Sequence, residues 1–133
     1  MRRSLSLLLI VLLLAGCASV EERKKSISFQ STTRAYEGSI RWSDFETAAG
    51  FINREKVTDP GPDPELLKRI HVTSYQVIST TGAPDGSGAQ LVVEIRYYDE
   101  QRMSEVKLTD RQTWEYDAEA EAWYLASPLP AFK

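Results

Sequence analysis

Apolar and polar positions along this chain fall into four successive regimes. Residues 5 to 14 read Leu-Ser-Leu-Leu-Leu-Ile-Val-Leu-Leu-Leu, an uncharged run with no polar face, preceded by Arg2 and Arg3. Ten residues are too few for a spanning helix, which needs about 20, and a basic start before a short apolar run marks a secretory signal. Residues 18 to 31 are polar, with Glu21, Glu22, Arg23, Lys24 and Lys25 among several Ser, and read as a flexible tether. Residues 32 to 54 then show helical spacing. Tyr36 and Ile40 share a face, and Phe45, Ala48, Ala49 and Ile52 form a second stripe. Ser43-Asp44-Phe45-Glu46 fits a capping box with Ser43 as N-cap and Glu46 at N3, so one helix is predicted to end near Trp42 and another to start at Asp44. Asp59-Pro60-Gly61-Pro62 is a stiff loop, and Asp63-Pro64-Glu65 caps one further turn carrying Leu66 and Leu67.

From Ile70 onward the period is two. Ile70 and Val72 alternate in one phase and Tyr75 and Val77 in the other, so a β-bulge is predicted around Thr73-Ser74. After a loop from Thr81 to Gly88, Ala89, Leu91, Val93, Ile95 and Tyr97 share one strand face, and Val92, Glu94, Arg96 and Tyr98 the other. A third strand places Val106, Leu108, Asp110, Gln112, Trp114 and Tyr116 together. A short last strand, Trp123 to Ala126, ends at Pro128 and Pro130. Helices followed by hairpins predict an α+β domain over residues 32–133: N-terminal helices packed on a curved, mostly antiparallel four-stranded sheet.

Composition adds a compartment. Leu14-Ala15-Gly16-Cys17 closes the apolar run and resembles the lipobox of bacterial lipoproteins. That resemblance implies cleavage of residues 1–16 by signal peptidase II, which would read Leu14, Ala15 and Gly16. It also implies a diacylglycerol thioether and an N-acyl chain on Cys17. One acyl chain anchors marginally and two or more hold firmly. Ala18, where an Asp in enteric lipoproteins resembles an inner-membrane retention signal, implies the outer membrane, facing the periplasm. Cys17 is the only cysteine, so an internal disulfide is excluded. Cleavage removes Arg2 and Arg3 and no acid, taking the formal charge from −3 to −5, with no dominant basic patch to serve nucleic acid. All the aromatics lie beyond the cleavage point, enough for one small core.

The helical stretch Tyr36 to Ile52 (Tyr-Glu-Gly-Ser-Ile-Arg-Trp-Ser-Asp-Phe-Glu-Thr-Ala-Ala-Gly-Phe-Ile) and the hairpins after Ile70 resemble the nuclear transport factor 2-like, or SnoaL-like, superfamily of cystatin-like α+β cones. They also resemble small envelope lipoproteins carrying such domains. The superfamily implies a pocket on the concave sheet face, used by some members for ligands or acid–base work and by others for partners. The residues that would line it here are Glu94, Arg96, Tyr98, Asp110, Gln112 and Trp114, taken to share one face; the competing reading of their charges is a set of solvated cross-strand ion pairs.

The chain offers little catalytic chemistry. His71 is the single histidine, with Asp110 or Glu94 as its conceivable carboxylate partners. A metal site needs several ligands at set spacing, which one His and a lipidated Cys do not supply. No nucleophile elbow or phosphate loop occurs. The expectation is a non-enzymatic, membrane-held envelope lipoprotein without metal or cofactor, binding another envelope protein through exposed aromatics such as Tyr98 or Trp123. Its alternatives are a small-ligand or rudimentary enzyme pocket and a structural spacer. Mass spectrometry of protein gently extracted from its membrane should show a chain starting at Cys17 with added lipid; residues 1–16 still attached, without lipid, would contradict this reading.

Overall fold

The computed structural model describes the chain from Arg2 to Lys133, with side chains from Gly16 onward; the side chains of Leu14 and Ala15 lie outside the described ones. Three helices precede four strands: α1 (Arg2–Arg41), α2 (Phe45–Ala49), α3 (Pro64–Leu67), β1 (Ile70–Gly82), β2 (Gly88–Asp99), β3 (Glu105–Asp117) and β4 (Ala122–Leu125). The strands form one antiparallel meander in the order β1-β2-β3-β4. The α+β class expected from the sequence is the one observed.

The junction between α1 and α2 falls where the pattern placed it, but through different chemistry. Ser43 adopts the left-handed region at φ 56°. Its N–H donates to Ile40 O (3.0 Å) and that of Asp44 to Ser39 O (2.8 Å), the paired bonds of a Schellman stop. With Ser43 used to end α1, the N-cap of α2 moves one residue on: the Asp44 carboxylate accepts from Thr47 N at 3.1 Å. The freed Ser43 Oγ accepts from Val72 N at 3.0 Å, tying this corner to the start of β1. At α3 the expected cap holds, with Asp63 accepting from Glu65 N and Pro64 in the first turn.

The segment expected to be a flexible tether is helical. α1 runs unbroken through residues 18–31, and its second half packs on the sheet. Phe29 lies 4.7 Å from Trp123 between ring centroids, Trp123 Nε1 donates to Lys25 O at 3.2 Å, and the Lys25 ammonium sits 4.7 Å over the Tyr116 ring. Polar composition hid this because only every third or fourth residue of a packed helix must be apolar. Farther along, Tyr36 meets Trp114 edge-on at 5.3 Å, and Ile40 is fully buried.

The sheet face under α1 carries Tyr75, Ala89, Leu91, Val93, Ile95, Tyr97, Trp114, Trp123 and Leu125, all buried, so the period-two reading of β2 is the observed one. The bulge expected near Thr73-Ser74 is present, and a second one separates Val77 from Ser79. After β4 the chain folds back over the sheet. Phe132 meets Phe45 and Tyr97 edge-on, and Lys133 N donates to the Tyr97 hydroxyl at 3.2 Å. Trp114→Ala should therefore destabilise the domain by about 3–5 kcal/mol, and half-buried Phe29→Ala by about 1–2 kcal/mol, in denaturant titrations of the mature chain. No measurable loss for Phe29→Ala would contradict the packing of this part of α1.

Candidate functional site

The polar cluster expected on one sheet face is split between two. In the β2–β3 register Glu94 pairs with Thr109, Arg96 with Lys107 and Tyr98 with Glu105, whereas Asp110 pairs with Val93, Gln112 with Leu91 and Trp114 with Ala89. Glu94, Arg96 and Tyr98 therefore belong to the outer face, and Asp110, Gln112 and Trp114 to the face under α1. The sequence showed each strand's two phases, but which phase of β2 joins which phase of β3 depends on the register.

On the outer face, Arg96 reaches Glu94 (3.4 Å) and Glu105 (3.5 Å), and Lys107 reaches Glu94 (3.6 Å). Such half-exposed pairs contribute roughly 0.2–1 kcal/mol each. His71 faces neither Asp110 nor Glu94. Its Nε2 lies 2.6 Å from Glu100 Oε1 and its ring stacks on Tyr98 at 5.0 Å.

Under α1 the polar groups form a network centred on Gln112. Trp114 Nε1 donates to Gln112 Oε1 (3.1 Å), and Gln112 Nε2 donates to both the Tyr75 hydroxyl and Asp110 Oδ2 (2.9 Å each). Burial pushes the Asp110 carboxyl up to about 6, against a smaller downward pull from the Gln112 amide. Burial, and then Asp110, likewise hold the Tyr36 hydroxyl well above the usual tyrosine range; that hydroxyl has no hydrogen-bond partner among the described residues. A carboxyl with a raised pKa is a candidate acid or base where substrate can reach it. Here Tyr36, Ile40 and Trp114, all fully buried, fill the space above the sheet, which weighs against a pocket with Asp110 at its floor.

The exposed features lie elsewhere. Trp123, expected as an exposed docking aromatic, is buried beneath Phe29, and Tyr98 is half covered by His71. The large apolar side chains left in solvent are instead Trp42, Met103, Ile27, Ile78, Val20, Val77 and Val106. Val77 and Ile78 lie on β1, an edge strand whose residues Gln76 to Gly82 are all exposed and include no charge and no proline. The opposite edge is covered: Leu125 N donates to Phe51 O (2.8 Å) and Asn53 N to Leu125 O (2.9 Å), so residues 51–53 lie along β4. Beside the start of β1, a groove of about 510 Å³ runs between the strand and α1, lined by Arg34, Glu37, Trp42, Val72 and Thr73 among others. An uncharged strand of β-branched residues after a bulge was legible in the sequence; its position at the sheet edge was not.

Comparison with known proteins bears on the other end of the molecule. Residues 1–18 match the prokaryotic membrane lipoprotein lipid attachment site, and the one cysteine in that stretch is Cys17. The chain is a lipid-anchored envelope lipoprotein. No curated protein and no solved structure matches it. Cys17 is exposed on α1, as its acylation requires. Among the described residues no helix is long and apolar enough to cross a membrane.

The folded domain holds the Asp110 proton to about pH 6, and the unfolded chain releases it near pH 4. Between these values the native state binds the extra proton, so Asp110's contribution falls as pH rises, by on the order of 3 kcal/mol. Asp110→Asn should flatten that segment of the stability–pH curve and be the more stable protein at pH 7. A wild type that gains stability over Asp110→Asn from pH 4 to 6 would contradict the burial of this group.

Proposed function

We propose that this envelope lipoprotein is a non-catalytic protein-binding module, held by lipid on Cys17 and probing its surroundings with the free edge of β1. In this reading the domain is of the nuclear transport factor 2-like type and faces the periplasm from the outer membrane. The outer-membrane assignment rests on Ala18 following Cys17. The observation that carries the binding reading is the uncovered edge from Gln76 to Gly82. A sheet edge presents unpaired backbone donors and acceptors, and natural proteins usually blunt it with charge, proline or a cover. This sheet covers its β4 edge, and at β1 it satisfies Val72 N through Ser43 Oγ. Val77 and Ile78, 43% and 55% exposed, lie next to the stretch Ser79 to Gly82 that pairs regularly with β2.

An extended segment of another envelope protein, uncharged and rich in β-branched residues, fits that edge by strand addition. Backbone bonds would supply affinity, and Val77 and Ile78 the apolar contact. The ligand-pocket alternative has less support, because helix side chains fill the inner face of the sheet.

A photo-crosslinking side chain at Ile78 in cells should form a discrete adduct with another envelope protein. The same group at Lys107 on the outer face should not, and Thr80→Pro should remove the Ile78 adduct by deleting an edge N–H. No adduct at Ile78, an adduct that survives Thr80→Pro, or an adduct of twice the chain's own mass would overturn the reading.

A further inference from the structure

The outward face of α1 is chemically unlike the rest of the molecule. Helical residues advance by about 100° each, so the side chains opposite Phe29, Tyr36 and Ile40 are those near Ile27. Within about 80° of Ile27 lie Cys17, Val20 and Trp42. Trp42 N still donates to Gly38 O at 3.1 Å and so continues the helical turn. Val20 is 52% exposed, Ile27 61% and Trp42 87%.

The same face holds Arg23, Lys24, Arg34 and Arg41, all exposed. The acids of the helix lie at its margins. Glu21 is 3.8 Å from Lys24 and Glu37 is 3.6 Å from Arg41, in exposed pairs of little strength. Glu22 lies behind, lining a cavity with Lys25 and Phe29. From Cys17 to Arg41 the helix carries five basic residues against three acidic ones, whereas the mature chain as a whole is acidic.

We propose that this face of α1 lies flat on the anionic headgroups of the membrane that holds the anchor, with Trp42 seated in the interface. The acylated cysteine lies at the edge of the face that holds the basic and apolar residues, about 80° from Ile27. Cys17 and Trp42 are separated by about 37 Å of helix, at about 1.5 Å per residue, so Trp42 touches the membrane only if the helix lies down. Basic side chains are drawn to anionic lipid, and an indole prefers the interface. Because α1 is packed on the sheet, this orientation turns the sheet away from the membrane. The inference rests on the lipid anchor and not on the protein-binding reading.

Trp42 is the test's own probe, because Trp114 and Trp123 are 0% and 7% exposed. The lipidated protein is reconstituted in phosphatidylglycerol–phosphatidylethanolamine vesicles with brominated acyl chains, and flotation checks that it stays bound. Its tryptophan emission should be quenched relative to unbrominated vesicles, and Trp42→Phe should remove the quenched component. A basic residue near an anionic surface shifts the lying population roughly fivefold. Arg34→Glu with Arg41→Glu, or phosphatidylcholine vesicles, should therefore lose most of the quenching while the protein still floats. Floating protein without quenching in anionic vesicles, or quenching unchanged by charge reversal or neutral lipid, would overturn the proposal. Protein that fails to float would overturn the anchor and the proposal with it, leaving the β1 edge to its own crosslinking test.

Discussion

Tyr36 of α1 stands edge-on against Trp114 of β3, and Phe29 tilts against Trp123 of β4 seven residues earlier along the same helix. Two aromatic contacts about 10 Å apart along one helix axis hold the helix against the sheet at two points. The interior follows from that constraint. Ile40 is carried onto the sheet, and α2 is set by the stop at Ser43, whose hydroxyl then reaches Val72. Because α1 also carries Cys17, the same packing fixes where the lipid lies relative to the domain.

The interior includes a polar element that apolar packing alone would not require. Gln112 uses its carbonyl for the Trp114 indole and its amide for Tyr75 and Asp110, so one side chain orients three others. The network leaves a carboxyl with a raised pKa and one tyrosine hydroxyl without a partner, both unfavourable at neutral pH. Buried networks of this kind restrict the core to one arrangement. Here it selects the register in which Trp114 meets Tyr36, since a one-residue slip of β3 would send Asp110, Gln112 and Trp114 to solvent.

Much of the architecture was legible from periodicity: the break after Trp42, the Asp63-Pro64 cap, the first bulge of β1 and the buried face of β2 each have a local cause. What escaped depended on pairing between distant segments. Glu94 and Asp110 look alike as strand polar residues, and only the register shows that one is solvated and the other buried. Residues 18–31 look like a tether because their few inward contacts, Lys25 and Phe29, need Tyr116 and Trp123, nearly a hundred positions away, to become packing contacts. Phe132, beyond the last strand, likewise packs on residues distant in sequence, Phe45 and Tyr97. The anchor was legible because a signal is read by enzymes as linear sequence. The free edge of β1 was not, because being an edge is a property of the whole sheet.

The packing described above makes α1 one rigid element from the anchor to the sheet. Amide hydrogen exchange over residues 22–36 of the lipidated protein tests it most directly. A packed helix predicts slow exchange across this stretch, slowest around Phe29 and Tyr36, and loss of that protection in Phe29→Ala. Exchange at the rates of an unstructured peptide from residue 22 to 31 would mean that the lipid and the domain are joined by a flexible tether, and would contradict the account.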